Sequence, residues 1–296
     1  KTALVNTFLT QICERADIRI TSGQCVEQYG LGEAYLPLLE ATTRLCRDPG
    51  GAQRIEGLKR YAPTWLAQLP GLLASDDLVR MQQHLQGTSH ERMLREMAEA
   101  AEQFCVRRGL VLVLEDLHWS DTATLEWIAY IARRREPVKL LILGTYRPVE
   151  VLTEGHPLQG VRQELLARRQ CEELQLAPLT EEAIAEYLAA RFDADVEARY
   201  AVPLQLTPVL SRRTGGNPLF IVNTVDDLLR QGVLVEEAGQ WRVRTDRIKE
   251  VDESIPDTLR QLIERQIERL EKHDQLLLEV ASVSGMEFAV AAVAAG

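Results

Sequence analysis

The stretch Gly109 to Asp121, G-L-V-L-V-L-E-D-L-H-W-S-D, decides how this chain is read. Consecutive apolar residues from Leu110 to Leu114 run directly into two adjacent carboxylates, Glu115 and Asp116. A short valine- and leucine-rich run of this kind predicts a strand buried on both faces. Charge set against a dry core is costly unless it is paired or bound. Two acids at the tip of such a strand read in two ways. They are a solvated strand end, or they hold a magnesium ion on a nucleotide phosphate.

Downstream of that strand, Ser120 or Asp121 can cap a helix carrying Leu125, Ile128, Ala129 and Ala132 on its apolar side. The basic run Arg133-Arg134-Arg135 then reads as a solvated helix end favoured by the helix dipole. Lys139 to Gly144, K-L-L-I-L-G, predicts a second buried strand, followed by Thr145-Tyr146-Arg147-Pro148. Pro148 stops sheet pairing and leaves Arg147 at the strand's carboxyl end, where open α/β sheets bind ligands. An arginine there can stabilise charge on a terminal phosphate. A helix over 161–169 and a short strand over 172–176 follow. This alternation implies a parallel sheet in an α/β fold.

Upstream, Ile18 to Cys25 reads as a short strand, with Gly30 and Gly32 in the connection to a helix from about Ala34 to Leu45. Further helices are expected over 52–68 and 76–86, broken by Pro63, Pro70 and Gly71. Thr88-x-x-Glu91 resembles a capping box opening a helix with Leu94, Met97, Ala98, Ala101 and Cys105 inward. The chain itself opens with Lys1-Thr2 and enters a helical pattern at once, with Leu4, Phe8, Leu9 and Ile12 on one face. A cation at a helix N-terminus is disfavoured unless an anion is nearby. K-T is also how the phosphate-binding loop G-x-x-x-x-G-K-[ST] ends, its lysine reaching the outer phosphates and its hydroxyl ligating magnesium.

From Thr180 the pattern turns helical. Thr180 caps a helix to Phe192, a second lies near 204–213, and Thr214-Gly215-Gly216-Asn217-Pro218 breaks it and starts another over 219–231. A polar hairpin over 233–243 turns near Ala238-Gly239. Two last helices are expected, with Ile255, Leu259, Leu262 and Ile267 inward in the first and Leu276 to Val283 inward in the second. Helices followed by a small hairpin suggest a winged-helix module.

The formal charge of −10 over 296 residues argues against broad electrostatic binding of this segment to nucleic acid or an anionic membrane. No apolar run approaches a membrane span, the longest late one being Phe288 to Ala295. Five cysteines (Cys13, Cys25, Cys46, Cys105, Cys171) are scattered without a C-x-x-C pair, which suits reduced thiols in a cytoplasm.

In order along the chain, Lys1-Thr2, G-Q-C-V-E-Q-Y-G-L-G-E-A-Y-L-P (Gly23 to Pro37), L-V-L-E-D-L-H-W-S-D (Leu112 to Asp121), G-T-Y-R-P (Gly144 to Pro148) and T-G-G-N-P-L-F-I (Thr214 to Ile221) resemble the signal-transduction ATPases with numerous domains, or STAND proteins. The tail Ile255 to Leu270 also looks like that family. The likeness is to the P-loop ATPase modules of large bacterial transcriptional regulators and cyclase-linked ATPases. It implies an α/β P-loop core of the AAA-like kind over 1–177, a helical lid over 178–232 and a winged-helix-like segment over 233–296. It implies ATP and Mg2+ as cofactors. Lys1 would contact the β- and γ-phosphates, while Thr2 and Glu115 would hold magnesium. Asp116 would orient or deprotonate the attacking water, Arg147 would sense the γ-phosphate, and Pro218 would pack against adenine.

The resemblance further implies a slow switch in a larger cytoplasmic protein. A covalently linked DNA-binding or cyclase domain would be its output and a repeat or sensor domain its input, with self-association open. Glu115 stands where the family usually has aspartate. The glycine-rich loop and first strand would precede Lys1, so the chain is expected to be a fragment that binds ATP weakly by itself. Two other readings are an oligomeric AAA-type remodelling or initiator ATPase, using one of Arg133, Arg134 or Arg135 on a neighbouring subunit, and a non-catalytic interaction module with a decayed site.

Overall fold

A computed structural model describes residues 1–14, 17–27, 33–73, 89–134, 137–153, 155–192, 201–237, 240–244, 260, 263, 264, 267, 270 and 272–283. The helix expected over 76–86, Gly30, Gly32, Thr88, Arg135, the turn at 238–239 and most of 255–270 lie outside the described residues. The chain divides into two compact units, Lys1–Leu174 and Gln175–Gly296.

The first unit is built on three parallel strands, β1 (Ile18–Gln24), β2 (Gly109–Glu115) and β3 (Leu140–Gly144), in the order β1-β2-β3. The valine- and leucine-rich run is the middle strand, with Leu110 through Leu114 all buried. Each such side chain contributes about 1.5–3 kcal/mol when taken fully out of water. Its register aligns Gln24 with Glu115 on one side and Leu114 with Gly144 on the other, so three strand ends finish together. β3 is more open, and Leu141 is exposed.

Helices cover this sheet. α1 (Thr2–Cys13) begins one residue after the chain starts, but none of its residues is fully buried. Val5, Leu9 and Ile12 are half-buried, whereas Leu4 and Phe8, expected on the inward face, are exposed. α2 (Leu36–Arg47) lies against β1, burying Leu38, Leu39, Leu45 and Cys46. α3 (Gly51–Tyr61) and the short α4 (Pro63–Leu66) split where Pro63 interrupts the backbone donors. α5 (His90–Cys105) is capped by Ser89, whose hydroxyl accepts from Arg92 N at 3.3 Å, and it buries Met93, Met97, Ala98, Ala101 and Cys105. Leu94 on the same helix is only half-buried. α6 (Thr122–Ala132) follows β2. After β3 come α7 (Pro148–Thr153) and α8 (Leu158–Ala167).

The strand expected over 172–176 is absent: the segment has no regular structure, and Leu174 is 83% exposed. Side chains hold it instead of a ladder. Glu173 accepts from Arg162 Nε at 2.9 Å and Nη2 at 2.7 Å, and also from the Tyr146 hydroxyl. A segment anchored by one bidentate carboxylate has little need of backbone pairing.

The second unit has its own core, in which Ile184, Leu188, Leu206, Leu210, Ile221 and Val225 are buried. It contains α9 (Glu181–Arg191), capped by Thr180, then α10 (Ala201–Thr214) and α11 (Pro218–Arg230), and an antiparallel hairpin of β4 (Leu234–Glu237) and β5 (Gln240–Val243). α12 (Lys272–Val283) forms where a helix is expected, but Leu276 and Leu278 are exposed, as is Ile267 upstream. Leu277 is half-buried and Ala281 buried, so only part of the helix's apolar side is covered, which corrects the inward assignment of Leu276, Leu278 and Ile267. All five cysteines are free.

Gly23 shows how closely the sheet and α2 approach. A Cβ there would stand 1.9 Å from the Pro37 carbonyl oxygen, a backbone atom that cannot turn aside. Gly23→Ala is therefore expected to destabilise the protein by about 1–3 kcal/mol, read as a lower urea midpoint with an unchanged slope. An unaltered midpoint would show that α2 does not sit against β1 as described.

Candidate functional site

The site grows from the end of β2. Directly after Glu115 the backbone of Asp116 enters the left-handed region, φ 58 and ψ 48. Aspartate tolerates this better than most residues, at a cost of about 1–3 kcal/mol. The turn is pinned on both sides. Asp116 N donates to Thr145 Oγ1 at 3.0 Å, Leu117 N to Thr145 O at 2.7 Å, and Thr145 N to Leu114 O at 3.0 Å. Toward β1, Cys25 N donates to Glu115 O at 3.0 Å. Both carboxylates thus stand on backbone that neighbouring strands hold still.

α1 delivers the opening residues to this tip. The Thr2 hydroxyl donates to Glu115 Oε2 at 3.0 Å, and Lys1 Nζ donates to the Tyr146 carbonyl at the end of β3. Burial lowers the pKa of the Lys1 amine, and the charge of Arg147 lowers it further, while Asp116 and Glu150 act in the opposite sense. The Lys1 amine, Asp116, Glu150 and Arg147 therefore share one electrostatic neighbourhood. Hydroxyl and carboxylate oxygens side by side are the donors magnesium takes, with phosphate and water completing its octahedron. The cations beside them suit the phosphate itself. On that donor chemistry, Thr2, Glu115 and Lys1 fit a magnesium nucleotide.

Arg147 is held by two neighbours. Its guanidinium carbon lies 5.6 Å from the centroid of the Trp119 ring, and Nη1 donates to Glu150 Oε1 at 2.7 Å. Trp119 in turn packs on His118, ring centroids 4.6 Å apart. The His118 side chain is fully buried, and its Nε2 lies 3.0 Å from Glu150 Oε2. That approach is close enough for charge interaction but off the line of a hydrogen bond, and neither ring nitrogen has a hydrogen-bond partner among the described residues. Burial holds the His118 pKa below the ordinary imidazole value. Glu150 and Asp116 pull it up, whereas Arg147 and Lys1 push it down.

Other residues singled out from sequence fall elsewhere. Asp121 is a helix cap: it accepts from Thr124 N at 2.8 Å and from Tyr35 N at 3.0 Å, holding the start of α2 to α6. Arg133 Nε lies 3.2 Å from Glu164, and Arg134 forms a two-pronged pair with Glu102. Pro218 lies in the second unit, at the first turn of α11, where Asn217 Oδ1 accepts from Leu219 N at 3.0 Å. The turn before it needs glycine. Gly216 has φ +73, and a Cβ there would stand 2.3 Å from the Leu179 carbonyl.

Sequence reasoning missed Thr145, the Tyr146 carbonyl, His118 and Glu150. Thr145 lies inside G-T-Y-R-P and could have been flagged as a polar residue at a strand end. A buried histidine in a turn leaves no signal in sequence, because only tertiary packing covers it.

Residues 1–143 match the family model of the AAA ATPase domain. That span runs from Lys1 through β1 and β2 and nearly to the end of β3. Together with the parallel sheet, the match supports a P-loop ATPase module of the AAA type. Domains of this kind generally use ATP and Mg2+. No curated protein matches the chain. No helix among the described residues is long and apolar enough to cross a membrane.

The lowered His118 pKa has a consequence for stability. Below about pH 6.5 an unfolded histidine gains a proton that the buried ring resists, so the unfolded state binds more protons and stability falls with pH. The loss levels off once pH passes below the folded-state value. Thermal unfolding should show its midpoint falling as pH drops from 7 through this window, and His118→Gln should flatten that limb. An identical pH dependence in the variant would contradict the burial of an uncharged ring.

Proposed function

We propose that this chain is the ATP-binding and ATP-hydrolysing switch module of a multidomain signalling or transcription regulator. The observation that carries the reading is the contact of the Thr2 hydroxyl with Glu115 at the tip of a buried strand, with Lys1 and Asp116 beside it. Lys1 would bind the outer phosphates, and Thr2 and Glu115 would hold a magnesium ion, whose chemistry there would be charge neutralisation at the transferring phosphoryl group. Asp116, on its fixed left-handed turn, orients water and accepts its proton. Arg147 answers to the γ-phosphate from the end of β3.

Glutamate in place of aspartate sets its carboxylate one methylene further out, which suits slow turnover. Slow turnover is what a timer requires. The resemblance assigns Pro218 to the base and the segment over 178–232 to a helical lid; differential nucleotide affinity for two lid positions would drive the switch. A DNA-binding or cyclase domain reads it out.

In the full-length protein, Lys1→Ala is expected to weaken ATP binding about 10- to 100-fold by calorimetry, the loss of a charge-assisted contact. Unchanged affinity would overturn the reading in favour of an interaction module with a decayed site. Asp116→Asn is expected to keep ATP affinity while lowering the single-turnover hydrolysis rate about 100-fold or more. Equal rates for the variant and the parent would remove Asp116 from the reaction. ATP-dependent ring formation in light scattering would favour the remodelling enzyme instead.

A further inference from the structure

We propose that Glu150 is a positioning residue that acts as an internal counter-ion. It holds the Arg147 guanidinium in the place it occupies before a terminal phosphate arrives, and the phosphate must displace it. This rests on the nucleotide reading above and adds to it a cost that a triphosphate meets and a diphosphate does not.

Four observations carry the inference. Arg147 Nη1 donates to Glu150 Oε1 at 2.7 Å, so the cation expected to meet a phosphate already has an anion. The guanidinium also lies over the Trp119 ring, which gives the paired arrangement a second contact. The other oxygen of the same carboxylate, Oε2, is 3.0 Å from Nε2 of the buried His118, a ring with no hydrogen-bond partner among the described residues. Finally, Lys1 is close enough to feel both Arg147 and Glu150, so two like charges face one region that a carboxylate partly neutralises.

The carboxylate thus lies within reach of both Arg147 and His118 and can change from one to the other. When an anionic group draws Arg147 off, a small rotation aligns the His118 Nε2–H with the carboxylate, and Glu150 is not left stranded. Because the Arg147 and Glu150 side chains are partly exposed, 50% and 29%, the pair is weak and easily exchanged. It biases the site without closing it. A ligand with no γ-phosphate has nothing to offer Arg147 and leaves the pair intact. The cost of breaking it therefore falls on ATP and not on ADP.

The test compares ATP and ADP binding by calorimetry in the full-length protein, as the parent form and as Glu150→Gln. ATP should bind the variant about two- to fivefold tighter, the range expected for removing a weak exposed pair. ADP affinity should not change. A merely structural role for Glu150 predicts weaker binding or none, never a gain confined to the triphosphate. Glu150→Asp, which keeps the charge but shortens its reach, should show a smaller gain of the same sign and decides the matter should the glutamine variant not fold. In the double variant with Arg147→Ala, the effect of Glu150→Gln should vanish. Equal shifts for both nucleotides, or tighter ATP binding that survives Arg147→Ala, would overturn the proposal while leaving the nucleotide site standing. Failure of the parent protein to bind ATP at all would overturn both.

Discussion

Everything in the first unit depends on β2 being paired along both edges and buried on both faces. A strand in that position cannot slide or tilt without breaking two ladders and exposing its valines and leucines to water. Its end is consequently a fixed point in the molecule. The chain uses that rigidity to hold Glu115 and Asp116 at a boundary where charge would otherwise prefer a flexible, hydrated loop. The left-handed turn at Asp116 is the visible cost, and the three hydrogen bonds to the Thr145 segment and one to Cys25 offset it.

From that fixed point the site is assembled by elements that approach it separately. α1 brings a hydroxyl and an amine, the end of β3 brings a carbonyl and an arginine, and the turn after β2 brings an indole. None of these would form a pocket alone. What unites them is charge: Lys1 shares an electrostatic neighbourhood with Arg147, Asp116 and Glu150, and Arg147 is paired with Glu150. The proposed switch would need such a site, since a ligand can shift an equilibrium only by interacting differently with its two arrangements.

Much of this was legible in the residues because the decisive signals were local. Five apolar residues before two acids specify a buried strand and its tip, and K-L-L-I-L-G followed by proline specifies where the next strand ends. Asp121 and Thr180 announced themselves as caps by type and position, and both accept the bonds a cap accepts. The failures arose where tertiary contacts decide. Glu172 to Leu176 has the composition of a short strand, yet Glu173 is claimed by Arg162 and Tyr146, and the backbone goes unpaired. Leu4, Phe8, Leu276 and Leu278 have the spacing of buried positions but remain in water, because periodicity says which residues share a face and not whether anything covers it. His118 stood in L-V-L-E-D-L-H-W-S-D without an assigned role and Glu150 in no pattern, the two being brought together by the packing of a turn against a later helix.

The central claim is that the metal of a bound nucleotide sits at the tip of β2. Paramagnetic broadening tests it most directly: Mn2+ in place of Mg2+, with a non-hydrolysable ATP analogue, added to isotopically labelled full-length protein. The account predicts that the signals of Thr2, Glu115 and Asp116 disappear first and return when the metal is chelated. Intact signals at those residues, with nucleotide bound and broadening elsewhere, would contradict it.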